Sequence, residues 1–212
     1  MRIVRPAVTA AVTASLVLAG AAGAAAPKKV CNLIKDAAGD DGSNPVFGHD
    51  GNLDILSGDL SSDGKTVTIA IRTAAVGTSD SKAPTGRSYY LDFDVPGEKN
   101  TLWLGVTTTP TFTSFTPGYV NGSLHSGIAG NATGTFDAAK KEIRISAPAS
   151  DWDAYATITK KSTFSALTAR SYYFVGAYSP TGTGGGSLQA GDQGDATKTY
   201  LAGTPSCLKV GS

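Results

Sequence analysis

Six side chains with oxygen donors, Asp36, Asp40, Asp41, Asp50, Asn52 and Asp54, fall between Lys35 and Ile55 among four glycines and few apolar residues. Fifteen of the seventeen acidic residues in the chain are Asp, the shorter, turn-favouring carboxylate. Such side chains in a glycine-rich loop can converge on a hard cation, and calcium accepts six to eight oxygens from carboxylates, carbonyls and water. Asp50-Gly51-Asn52-Leu53-Asp54 reads as the D-x-N-x-D opening of an EF-hand loop, but Ile55 stands where the glycine belongs and Ser61 where the bidentate Glu belongs. An EF-hand is thereby rejected. Two readings stay open, a calcium site of another geometry and a solvated loop whose aspartates close turns.

Other residues carry weaker chemistry. Trp103, Trp152 and the tyrosines Tyr89, Tyr90, Tyr119, Tyr172, Tyr173 and Tyr178 offer flat rings for stacking on sugars, although aromatics in alternating strands usually belong to a core. Trp103 points opposite to Leu102 and Leu104, which makes it, with Tyr90, the expected ligand-binding platform. Asp92 and Asp94 share a strand face and form a possible acid/base pair only within a cleft that shifts their ionisation. They carry the weakest functional reading, a glycoside-hydrolase-like enzyme. His49 and His125 have no companion motif, and Gly182–Gly186 lacks the Lys-Ser/Thr of a phosphate loop. No catalytic residue is assigned.

The elements that position these groups begin after residue 26. Arg2 and Arg5 precede an alanine-rich apolar stretch, Ala7 to Ala22, and Ala22-Gly23-Ala24 and Ala24-Ala25-Ala26 are small-residue cleavage sites. Residues 1–26 therefore read as a signal peptide and 27–212 as one secreted domain, with no membrane span once the signal is removed. Without Arg2 and Arg5 the 18 basic residues become 16, against 17 acidic, a net charge of −1. That balance argues against nucleic acid as a partner. Cys31 and Cys207, at opposite ends of this domain, read as one disulfide in an oxidising compartment. The same closure brings Asp192 or Asp195 toward the Asp-rich loop.

Period-two alternation dominates the rest. The run from Leu53 to Leu60, the Asp63-Gly64 turn, and Val67, Ile69 and Ile71 predict one hairpin; Tyr89 to Val95, the Pro96-Gly97 turn, and Leu102, Leu104 and Val106 predict a second. Short strands are expected near Phe112–Phe115, Tyr119–Leu124, Ile128–Thr135 and Ile143–Ile145. Ser150 and Asp153 predict a capped short helix, with another at Thr163–Ala169. Tyr172–Tyr178 is a strongly β-prone run, Gly182–Gly194 a loop, and Thr197–Leu201 an edge strand. The fold class is all-β, an antiparallel β-sandwich of jelly-roll or immunoglobulin-like type with one or two short helices.

The succession D-A-A-G-D-D, L-D-I and S-S-D-G-K-T-V-T-I, followed later by G-T-F-D-A-A-K-K-E-I-R-I-S-A-P, resembles secreted bacterial β-sandwich domains: the glucodextranase C-terminal type and, more loosely, the DOMON and family-9 carbohydrate-binding modules. The ending G-D-A-T-K-T-Y-L-A-G-T-P-S-C is similar to the tail of secreted actinobacterial proteins. The resemblance implies a structural calcium near the N-terminal loop, with Asp36, Asp40, Asp41 and Asp54 as ligands, in modules attached to carbohydrate-active enzymes or surface proteins. Haem held by a Met and His pair is excluded, because Met1 is the only Met and lies in the signal. The expected role is a secreted, non-enzymatic binding module for an extracellular polysaccharide or a cell-surface component. The alternative is a surface-associated protein making protein contacts without a small ligand.

Overall fold

A computed structural model describes residues 28–42, 49–77, 86–175 and 187–211. Two antiparallel sheets pack face to face. The smaller contains β1 (Ile34–Lys35), β2 (Ile55–Ser62), β3 (Thr66–Thr73), β8 (Thr133–Asp137) and β9 (Glu142–Pro148), in the order β1-β2-β3-β9-β8. The larger contains β4 (Arg87–Asp94), β5 (Leu102–Thr108), β6 (Thr113–Asn121), β7 (Leu124–Gly127), β10 (Thr163–Val175) and β11 (Ser187–Asp195), in the order β11-β10-β4-β5-β6-β7. The short β12 (Tyr200–Leu201) also pairs with β10. The β-sandwich expected from the alternation is present.

Both expected hairpins form. Leu60 pairs with Ile69 and Ser62 with Val67 across the Asp63-Gly64 turn, whose ends are tied by Asp63 Oδ1 accepting from the Lys65 and Thr66 N–H groups, each at 2.8 Å. Leu91 pairs with Leu104 and Phe93 with Leu102. Their inward-facing residues join Ile143 and Ile145 of β9 in one buried core, because period-two alternation sends every second side chain to the same face. Full burial of each Leu, Ile or Phe there contributes about 1.5–3 kcal/mol.

The helical expectations are corrected. Among the described residues the one helical element is a single 3-10 turn, Ala149–Trp152, and Pro148 rather than Ser150 occupies its N-terminal cap position, with no side-chain cap bond. Trp152 is fully buried, and its indole N–H donates to the Gly118 carbonyl at 2.9 Å. The second expected helix, Thr163–Ala169, is the first half of β10. A bulge between Ser165 and Thr168, with Ala166 at φ 48°, breaks the two-residue period there. It sets the buried Phe164 and Leu167 three residues apart, a helix-like interval, before the two-residue period resumes at Ala169.

Residues 187–194 of the expected glycine loop belong to strand β11 (Ser187–Asp195), paired with β10; residues 182–186 lie outside the described residues. Of the β-prone Tyr172–Tyr178 run, residues to Val175 belong to β10 and the remainder lies outside the described residues. The final edge strand is confined to Tyr200–Leu201.

Cys31 and Cys207 are disulfide-bonded, as expected. A parallel bridge between Val30 and Ser206 lies beside them, with the Val30 N–H donating to the Pro205 carbonyl at 2.9 Å and the Cys207 N–H to the Val30 carbonyl at 3.1 Å. Among the described residues no helix is long and apolar enough to cross a membrane.

Candidate functional site

The acidic loop lies where the edges of the two sheets meet. Ile34 of β1 pairs with Gly58 of β2 and forms a bridge to Ala196, just beyond β11, so the residues after β1 run alongside that strand. The Gly42 N–H donates to the Gly191 carbonyl at 2.7 Å and fixes the far end of the loop. Gly194 of β11 supplies space: a Cβ there would lie 2.9 Å from Asp36 Oδ2. Asp36, Asp40 and Asp192 thereby each bring one carboxylate oxygen within 4.8 Å of the others. Oxygens held about 2.4 Å from a common calcium ion lie at most about 4.8 Å apart, so the spacing fits one coordination shell.

Asp54 adjoins this group from the start of β2. Its Oδ2 accepts from the Gly39 N–H at 2.9 Å, while Oδ1 is buried without a hydrogen-bond partner. Asp36 has the same asymmetry, with Oδ1 accepting from the Ala37 N–H at 3.0 Å and Oδ2 buried and unpartnered. Two orphaned carboxylate oxygens beside two further carboxylates form an arrangement that a bound cation would satisfy, since an unpaired buried oxygen carries its desolvation penalty uncompensated. The donor set is oxygen alone, which suits a hard cation.

Crowding of negative charge alters proton affinity here. Burial, with the nearby charges of Asp36 and Asp40, pushes Asp192 from the ordinary 3.8 up to about 6, against N–H donors from Ile55 and Gln193. Burial, then the charges of Asp40, Asp195 and Asp54, raises Asp36 as well. An acid that holds its proton more tightly when folded adds stability below the unfolded value, and that stability is lost as pH rises through the folded one. Without added metal, wild type is therefore expected to lose stability relative to Asp192→Asn between pH 3.8 and about 6. Urea unfolding of both proteins across this range checks the sign.

The other expected ligands are placed elsewhere. Asp41 is buried, but its Oδ1 meets His49 Nδ1 at 2.8 Å and its Oδ2 accepts from the Asp50 N–H at 2.9 Å. Asp50 binds Arg87 through Oδ2 at 2.7 Å. Burial alone would raise the Asp50 carboxyl, but Asn52 and Arg87 together hold it below the ordinary value. Asn52 accepts from the Gly77 N–H. Asp195 is exposed and accepts from the Thr168 hydroxyl and the Gln193 amide. Of the two acids that the disulfide was expected to bring toward the loop, Asp192 joins the cluster and Asp195 lies outside it.

On the outer face of the large sheet the expected platform is corrected. Trp103 does point away from Leu102 and Leu104, yet it is only 3% exposed. It lies against Gly118 of β6, where a Cβ would fall 2.2 Å from the indole, and its N–H donates to the Tyr119 carbonyl at 3.1 Å. His125 of β7 reaches back across this face, stacks on Tyr90 at a centroid distance of 4.5 Å, and meets Asp92 at 2.7 Å. Tyr90 beneath it and Tyr172 beside both rings are each half-buried.

Asp92 is buried rather than a plain surface carboxylate, and its second oxygen accepts from Arg170 Nε at 3.0 Å. Arg170 also donates to Gln193. Asp94 instead accepts from the Thr101 hydroxyl at 2.6 Å. The two carboxylates are thus engaged with different partners and do not form a matched pair. The Asp92–His125–Arg170 cluster had no sequence signal, because Arg170 comes from β10 beside β4 while His125 comes from β7, three strands away, and reaches Asp92 only across the outer face of the sheet.

No known family model matches this chain, and no curated protein is detectably similar to it in sequence.

Proposed function

We propose that the chain is a secreted, non-enzymatic β-sandwich module that binds a carbohydrate or another cell-surface ligand and is braced by one structural calcium ion. The observation that carries the metal is the buried, unpartnered Oδ1 of Asp54 beside the gathered oxygens of Asp36, Asp40 and Asp192. These four side chains would hold the ion. Its chemistry there is charge neutralisation across the meeting of two sheet edges, a brace rather than a catalyst. The disulfide supports an extracellular setting. For ligand recognition, the half-buried Tyr172 beside Arg170 on the outer sheet face supports sugar stacking better than the covered Trp103.

Calcium that binds only the folded state raises stability by about 2.7 kcal/mol at one hundred times its dissociation constant. In a domain of this size that corresponds to roughly 5–10 °C in Tm. Wild type is expected to show this rise over a chelated sample, and the double variant Asp36→Asn, Asp192→Asn to show none. Equal Tm values for wild type in calcium and in chelator would remove the metal from the proposal. A glycan array spanning neutral and acidic polymers tests the ligand class, and silence across it would leave the second reading. That reading, a surface protein making protein contacts, draws on Leu124, 70% exposed at the start of β7.

A further inference from the structure

The acidic cluster has a counterpart of opposite sign near the chain ends. Lys28, Lys29 and Lys198 line one groove together with Thr197, Thr199 and Cys31. None of the three lysines forms an ion pair among the described residues, and all three are exposed. A second groove shares Lys29 as a wall and continues past Ser61, Ser62 and Ser206 to Lys209, with Asp63 its one acidic lining residue. Basic residues thus gather at one end of a domain whose expected net charge is −1, so the excess is local.

The scaffold beneath them is firm. Lys29 precedes Val30, which is bonded on both sides to the Pro205–Cys207 segment, and the disulfide follows at once. Cationic side chains on a fixed backbone, interleaved with hydroxyls and spread over two joined grooves, suit a linear anion better than a compact one.

We infer that these adjoining grooves bind an extended polyanion of the cell surface, a polymer bearing repeated carboxylates or phosphates. The inference rests on the reading of the chain as a binder of a cell-surface component, and it names the chemistry of that partner. Each lysine engaged displaces counterions, so affinity falls with salt in proportion to the number of contacts.

The test uses the oxidised chain from residue 27 onward and a triple variant, Lys28→Gln, Lys29→Gln, Lys198→Gln, whose exposed positions leave folding undisturbed. Binding to polygalacturonate and alginate, as carboxylate polymers, and to long-chain polyphosphate is measured across a salt series. Wild type is expected to bind at least one polymer class at low salt. In the triple variant the slope of log affinity against log salt should fall by about two to three, following the loss of three contacts on a linear polyanion. Which class binds better identifies carboxylate or phosphate as the source. Retention of polymer binding by the triple variant would overturn the groove while leaving the binding-module reading intact. Failure of wild type to bind either class would also overturn it, and the neutral arm of the glycan array would then decide that reading separately. Tighter binding to duplex DNA than to every surface polymer would overturn the inference as well.

Discussion

A protein with serine at both Cys31 and Cys207 is expected to melt about 10 °C below the oxidised wild type. The bond closes a ring with a sequence separation of 176 residues. Restricting so long a loop in the unfolded chain is worth about 5 kcal/mol in the loop-closure account, an upper figure because measured gains are often smaller. At roughly 2–4 °C per kcal/mol for this size, the full value corresponds to about 10–20 °C and two thirds of it to about 7–13 °C. Without the bond, the ends would be held by the Val30–Ser206 bridge and by the burial of Leu208, Ala202 and Tyr200, whose hydroxyl donates to the Thr204 carbonyl at 2.8 Å. Calorimetry of the two proteins under non-reducing conditions measures the difference. A drop below 3 °C would mean that those contacts secure the ends without help.

Replacing Arg72 with methionine is expected to cost about 3 kcal/mol, read as a lowered midpoint in urea. Arg72 bridges two strands of the small sheet, meeting Asp59 Oδ2 at 2.7 Å and Glu142 Oε2 at 2.8 Å. Both acids are nearly inaccessible, Asp59 at 1% and Glu142 at 5% of their side-chain surface. Removing the cation leaves those charges buried, and that penalty exceeds the net value of the intact pair. Glu142 keeps Arg144, whose Nε lies 3.0 Å from Oε1, and Asp59 Oδ1 still accepts from the Leu33 N–H at 3.2 Å, which places the loss toward the low end of the usual range. Neutralising the orphaned partner in the same protein, Arg72→Met with Asp59→Asn, should recover part of the loss. If the double variant were less stable than Arg72→Met, the stranded-charge explanation would fail.

Strands β2 to β5 were legible in the sequence because Val67, Ile69 and Ile71, and Tyr89, Leu91 and Phe93, alternate without interruption and end in recognisable turns. β10 was misread where its bulge broke the two-residue period and set Phe164 and Leu167 three residues apart. β11 was read as loop because Gln189, Gly191, Gln193 and Gly194 carry no hydrophobic period; pairing with β10 imposes its strand form. The metal candidates divide in the same way. Asp36, Asp40 and Asp54 were visible as a local cluster. Asp192, named only through the expected disulfide, enters because β11 is antiparallel to β10 and lies beside β1. Trp103 was assigned to the correct side of its strand, but no local pattern announces that the β6–β7 hairpin folds over it.

The pairing of Val30 with Ser206 and of Cys31 with Cys207 also determines how the domain would respond to tension. A pull applied between the segment before Val30 and the segment after Cys207 frees Leu208 and the Gly211–Thr68 hydrogen bond and then meets the covalent bond. The load passes across the disulfide and bypasses both sheets, so the strand ladders and the acidic cluster carry none of it. Such a domain would remain folded under forces that unzip sandwiches loaded through their terminal strands, and reduction of one bond would place both sheets under strain.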